Sequence, residues 1–137
     1  MRVQITLCAV AVCLGLVSIV SAQDAVKVDP KHYTVVSEND QVRILKVHYG
    51  PHEKSVMHSH PNSAAVFLSD AKGQFIFPDG KKQDFAAKAG DSQYEPSVTH
   101  LPENTSDTPM DLIVVELKGH AAKAKAAAKS ETKSETK

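Results

Sequence analysis

The chain has 137 residues with 16 basic and 16 acidic side chains, room for one folded domain and appendages. The balance is uneven: residues 23–118 carry 10 basic and 14 acidic groups, a net −4, whereas 119–137 carry a net +3. A mildly acidic central part argues against nucleic acid as a partner.

Taken in chain order, the first 22 residues hold one charge, Arg2, then an apolar run from Ile5 to Val20, with "VSA" just before Gln23. This is the pattern of a secretory signal peptide cut after Ala22, and it predicts a secreted or periplasmic protein. The run is short against the roughly 20 residues that span a bilayer, so cleavage is expected and no stable membrane insertion after it. No cysteine follows the cleavage site, which argues against a lipoprotein. Both cysteines, Cys8 and Cys13, fall inside the leader. The mature chain therefore has no disulfide and no thiolate site, and any metal must be bound through imidazole and oxygen.

Between Lys27 and Lys118 short apolar segments alternate with turn residues, and no amphipathic pattern of helix length occurs. "HYTVV", the turn "SEND" and "QVRILKVHY" come first, ended by Gly50-Pro51. "SVMHSH", "AAVFLS", the turn "DAKG" and "QFIF" follow, then a hairpin signal at Asp79-Gly80 and the return strand "KKQDFAA". After Ala89-Gly90 come "DSQYEP", "THLPEN" and "MDLIVVELK". The fold class predicted is all-β, a small antiparallel barrel or sandwich over 23–118. In "DLIVVEL" apolar residues succeed one another without alternation, so both strand faces should be covered. A second subunit would supply one cover, which suggests a homodimer. Val66, Phe67, Phe75, Phe77 and Phe85 read as core. From Gly119, "GHAAKAKAAAKSETKSETK" lacks any large apolar residue and predicts a disordered tail. Its lysines serve solubility or weak attachment to an anionic surface.

The chemistry lies in the histidines. Three of the seven fall within nine residues of "GPHEKSVMHSHPNSAAVFL". Side chains alternate along a strand, so His58 and His60 point the same way with Ser59 opposite. Two imidazoles on one face suit a single metal ion, and His100 in "PSVTHLPEN" is the best candidate for the third ligand.

At these residues the sequence resembles a family. "GPHEKSVMHSHPNSAAVFLSDAKG" is similar to the first cupin motif, and "GDSQYEPSVTHLPEN" to the second, with Gly90, Pro96, His100 and Asn104 in order. The resemblance covers roughly residues 40–118. It implies a small double-stranded β-helix with His58, His60 and His100 as metal ligands. Three departures stand out. Ala64 or Ala65 occupies the place of the family's usual glutamate, seven residues rather than five separate Gly50 from His58, and Val98 sits near an expected glycine. The resemblance thus implies a three-histidine site lacking its carboxylate.

Asp91, Gln93 and Glu95, which alternate before Pro96, are the candidates for a substitute ligand. His48 reads as a rim residue, His52 as a loop residue, and His32 and His120 as solvated. Asn104 should bond backbone in its turn; Asn104-Thr-Ser is also a glycosylation sequon if the source is eukaryotic. The histidines alternatively belong to a degenerate site without metal. The functions open to the chain are three. The first is an exported metal-binding cupin, with iron first and zinc, manganese, copper or nickel as other divalent ions, performing dioxygenase-like or Lewis-acid chemistry on a small anionic molecule. The second is a non-catalytic binding or sensory module for a small-molecule ligand, and the third an envelope protein serving as a dimer scaffold.

Overall fold

A computed structural model describes residues 23–119; the predicted leader at 1–22 and the tail from residue 120, His120 included, lie outside the described residues. One helical turn, α1 (Ala25–Val28), is followed by nine strands. These are β1 (Tyr33–Glu38), β2 (Val42–Tyr49), β3 (His58–His60), β4 (Ser63–Phe67), β5 (Ala71–Ile76), β6 (Lys82–Ala87), β7 (Ser92–Glu95), β8 (Val98–Asn104) and β9 (Met110–Leu117). One sheet has the order β1-β2-β9-β4-β7, and the other β3-β8-β5-β6. All paired strands are antiparallel.

The turns follow from local chemistry. Asn39 closes the β1–β2 turn with its side chain, Oδ1 accepting from the amides of Gln41 and Val42. The strand runs further than the sequence suggests, because Ser37 and Glu38 of "SEND" pair with Ile44 and Arg43 after a bulge. Likewise Ala71, Lys72 and Gly73 of the expected turn "DAKG" already belong to β5. The Asp79-Gly80 hairpin is as expected: Gly80 takes φ +81°, and the Phe77 amide donates to Lys81 O at 2.9 Å.

The core is built mainly from the inward face of the first sheet. Leu45, Val47 and Tyr49 on β2 lie against Met110 and Val114 on β9, with Tyr33, Phe67, Ala25 of α1 and Ala71 of β5 completing the cluster. Burying side chains of this size contributes about 1.5–3 kcal/mol each before the entropy cost is counted. On β9 the alternate residues Ile113 and Val115 are only half-buried and lie on the outer face. Across that face, Ile44, Val115, Ala64 and Tyr94 fall in one row through four strands. The apolar run therefore serves two faces, one packed within the chain and one turned outward.

Gly73 in β5 is required by close approach. A Cβ there would stand 2.6 Å from both Glu103 O and Phe85 Cε1. Only glycine lets β5, β8 and the Phe85 ring meet at this spacing.

Candidate metal centre

Strand β3 is three residues long and carries His58 and His60, both buried, on one side. Its partner β8 places His100 directly opposite His58 in register. On the far side Ser59 and Thr99 join their hydroxyls at 2.7 Å, which fixes that register. The three rings meet edge-on, with centroids 4.8–5.5 Å apart. One nitrogen from each histidine lies within 4.8 Å of the others. The alternation read from "HSH" and the choice of His100 thus lead to one cluster that could hold a metal ion.

Hydrogen bonds decide which nitrogens are free. His58 Nδ1 lies 2.8 Å from Val56 O, which only accepts, so Nδ1 carries the proton. His60 Nδ1 lies 2.6 Å from Glu116 Oε1 and donates to that carboxylate. In neutral rings of this tautomer both Nε2 atoms present lone pairs, and these face one another at 3.0 Å. His100 Nε2 is buried with no hydrogen-bond partner at all. Two lone pairs facing each other, beside a buried ring nitrogen with no partner, are costly in a bare protein, and a bound cation would satisfy all three nitrogens together once His100 presents its lone pair. The residues fit a metal.

Electrostatics keep the rings ready to bind. Burial, reinforced by the neighbouring His60, lowers the His58 pKa to about 4. Burial, with His58 and His60 beside it, lowers His100 to about 3. Glu116 is 2% exposed, and burial alone would raise its carboxyl. The hydrogen bonds from His60 and Arg43 outweigh that penalty and hold it below its usual range. Arg43 Nε donates to Glu116 Oε2 at 2.6 Å, and Arg43 also pairs with Asp24 at 2.7 Å.

A small cavity of about 60 Å³ opens beside His60 and His100. Its walls include Phe67, Phe75, Phe85, Val98, Pro102, Met110 and Leu112. Phe75 stacks on His100, with centroids 4.8 Å apart. Phe67, Phe75 and Phe85, read from the sequence as core, are thus cavity walls too, whereas Val66 lies on the other face of β4 from Ala65. Of the motif's two alanines, Ala65 is buried and lines the cavity.

The substitute ligands do not enter the cluster. Gln93 and Glu95 line the cavity and bond to each other, while Asp91 accepts from the Lys88 amide in a turn. His48 is exposed and bonds Asp111, and His52 is an exposed loop residue with φ +57°. Asn104 bonds backbone as expected, donating to Gly50 O and Thr108 O.

His32 corrects the sequence reading. It is buried, not solvated, stacked on Tyr49 at 4.3 Å with Nδ1 2.7 Å from Asp29 Oδ2 and Nε2 3.1 Å from Glu53 Oε2. Its place near the start of the folded chain suggested solvent, but α1 turns the segment back onto the barrel. Glu116 was not singled out either. Its one signal was an acid inside the apolar run "LIVVEL", which reads as a strand-end charge until Arg43 and His60 are seen beside it.

The sequence of residues 45–116 matches the family model described as Cupin domain. The chain belongs to the cupin family, as the double-stranded β-helix arrangement and the histidine cluster indicate. Among solved structures, it is similar to a cupin domain from Bordetella pertussis Tohama I at 22% identity and TM-score 0.60, covering 72% of this chain and 98% of that one. A conserved protein with a double-stranded β-helix domain from Klebsiella pneumoniae matches at 23% identity and TM-score 0.53, covering 65% and 77%. A Cupin 2 conserved barrel protein from Salinispora arenicola matches at 18% identity and TM-score 0.51, covering 71% and 82%. At these identities the likeness concerns the fold. No curated protein matches the sequence.

Proposed function

We propose that this protein binds one divalent metal ion through His58, His60 and His100 and uses it to hold a small molecule in the adjoining cavity. The observation that carries this reading is the buried His100 Nε2 without a partner, beside two Nε2 lone pairs 3.0 Å apart. Iron is the first choice of metal, with zinc, manganese, copper or nickel as alternatives, since imidazole ligands suit them all except that manganese prefers oxygen. A metal in this all-neutral ligand set keeps its full charge and supplies Lewis-acid or, for iron, dioxygenase-like chemistry.

The chain's own residues set what can bind. Among the described residues no lysine or arginine lines the cavity, so an anionic head would owe its attraction to the metal. The aromatic and aliphatic walls favour a compact apolar body behind that head. Elemental analysis of the purified protein after reconstitution tests the reading: one equivalent of metal, lost in His100→Ala, is expected, and a protein that takes up none overturns it.

The second reading is a binding or sensory module without catalysis. It is favoured by the cavity walls, which among the described residues offer Glu95, Tyr33, Tyr49 and the Ser63 hydroxyl as groups able to move a proton besides the histidines. The two tyrosines are occupied with each other at 2.8 Å, and burial raises both their pKa values. Ligand affinity unchanged in His58→Ala would favour a metal-free binder.

Export, with cleavage after Ala22, rests on the leader's charge and apolar pattern, and the N-terminal sequence of the secreted protein tests it. A homodimer through the outer row Ile44, Val115, Ala64 and Tyr94 would give the second face of β9 its cover. A monomer mass in solution would overturn that assignment.

A further inference from the structure

The family match begins at residue 45, yet the histidines are held from residues that precede it. Asp24 is the N-cap of α1, its Oδ1 accepting from the amides of Val26 and Lys27, and Asp29 is the C-cap of the same turn. The two caps lead to different histidines. Asp24 Oδ2 pairs with Arg43 Nη1 at 2.7 Å, and Arg43 Nε grips Glu116, which takes the Nδ1 proton of His60. Asp29 Oδ2 accepts from Ser55 Oγ at 2.5 Å, leaving a Ser55 lone pair 3.3 Å from His58 Nδ1 as a second, longer acceptor beside Val56 O at 2.8 Å. Between these points the backbone is pinned as well, because the Ser59 amide, lying between the two histidines, donates to Gln23 O at 2.7 Å.

We propose that residues 23–29 form a clasp that sets the orientation and basicity of His58 and His60, and so the metal affinity of the site. This rests on the metal-binding reading above. Each arm ends on the proton-bearing Nδ1 of a histidine whose Nε2 faces the shared space. A carboxylate reached through that nitrogen keeps the ring from rotating and makes the opposite nitrogen a better donor. Arg43 and Ser55 are positioning residues in these chains. Arg43 serves two carboxylates at once because its guanidinium is a rigid fork. Ser55 has one proton to give and gives it to Asp29, so it can only accept from His58. His32 anchors the second arm, since Asp29 also faces its Nδ1. The clasp begins at Gln23, the residue that follows the expected cleavage point.

The test uses the full mature chain and Zn(II) alone as probe, with affinity read by chelator competition. Ser55→Ala breaks the Asp29 arm while leaving the Asp29–His32 pair in place. Arg43→Lys keeps the charge but cannot fork between Asp24 and Glu116. Each variant is expected to lose about tenfold in Zn(II) affinity, the lower end for removing an outer partner of a ligating histidine. The double variant should lose the product of the two, because the arms reach different rings. Nitrogen NMR of the imidazoles in metal-free protein supplies a readout that general loosening would not produce: Ser55→Ala shifts the His58 signals and Arg43→Lys those of His60. Wild-type affinity in both variants, with only the denaturation midpoint lowered, overturns the clasp and leaves the metal site standing. A wild-type chain that takes up no Zn(II) overturns both readings together.

Discussion

Glu116 Oε1 lies 2.6 Å from His60 Nδ1, although β9 and β3 belong to different sheets and 56 residues separate the pair. The carboxylate that the motif lacks at its usual place thus comes from β9 and bonds a histidine of the cluster on the nitrogen that faces away from the shared space. There it orients the ring, and it would add basicity to His60 without filling a position on an ion held as proposed.

Replacing that carboxylate separates the two effects. Glu116→Gln removes the charge that holds the His60 proton on Nδ1 and leaves Arg43, 16% exposed, with Asp24 as its remaining carboxylate. Metal affinity should fall by about tenfold to a hundredfold. Metal-free stability should fall by about 1–3 kcal/mol, the cost of a buried group left short of a partner. Chelator competition and urea denaturation on the same samples check both numbers.

Acid should unfold the metal-free protein earlier than its carboxylates alone would. His58 and His100 have folded pKa values lowered to about 4 and about 3, from 6.5 in the free side chain. Below pH 6.5 the unfolded chain takes up protons that these two folded histidines refuse until about pH 4 and 3. The unfolded state therefore gains as pH falls, so stability is full above the unfolded value and is lost downward through this window. The loss should amount to a few kcal/mol, on the order of one to two per pKa unit and less than additive for neighbouring rings. Glu116, whose folded pKa lies below its ordinary 4.5, adds a loss of the same sign at lower pH. Urea midpoints in chelator that stay flat from neutral pH down to about pH 4 would contradict this account.

What the sequence disclosed and what it hid divide along one physical line. Alternation within a strand is local, so His58 and His60 could be placed on one face from "HSH" alone. The hairpin at Asp79-Gly80 was legible for the same reason, since the turn residues state their own backbone angles. His100 could be named from its place after a predicted turn and strand and from the resemblance of its motif, but its position opposite His58 depends on the β3–β8 register, which no local pattern encodes. Glu116 and His32 were hidden because their meaning lies in distant partners. An acid at the end of an apolar strand and a histidine near the start of the folded chain both suggest solvent. Arg43, Asp29 and Glu53 reverse that reading only when the chain has folded.

Gly73→Ala tests whether the walls of the cavity are set by backbone approach. The added methyl would stand 2.6 Å from Glu103 O, a backbone atom, and from Phe85 Cε1, a side chain that can turn only by disturbing Phe75, stacked on it at 4.5 Å. Overpacking of this kind costs about 1–3 kcal/mol. Because Phe75 also stacks on His100, the metal-free protein should show shifted His100 ring signals in addition to a lower urea midpoint.

The two alanines of the first motif give opposite outcomes when made acidic, and the contrast checks the register of β4. Ala65 is buried and lines the cavity with His60 and His100, whereas Ala64 lies on the opposite face in the outer row. In Ala65→Glu a carboxylate enters an apolar wall. Without metal it carries a desolvation penalty of several kcal/mol, or takes a proton instead, so the metal-free protein should be markedly less stable. With metal the same group meets a cation in a neutral three-histidine site, and part of the lost stability should return in proportion to the tighter binding. Ala64→Glu places its charge on the outer face of the sheet, away from the histidines, and its metal affinity should equal that of the unmodified chain. The measurement is the metal-induced shift in urea midpoint for each variant. A larger shift for Ala65→Glu and an unchanged one for Ala64→Glu are expected. The reverse order would mean that β4 presents its other face to the site.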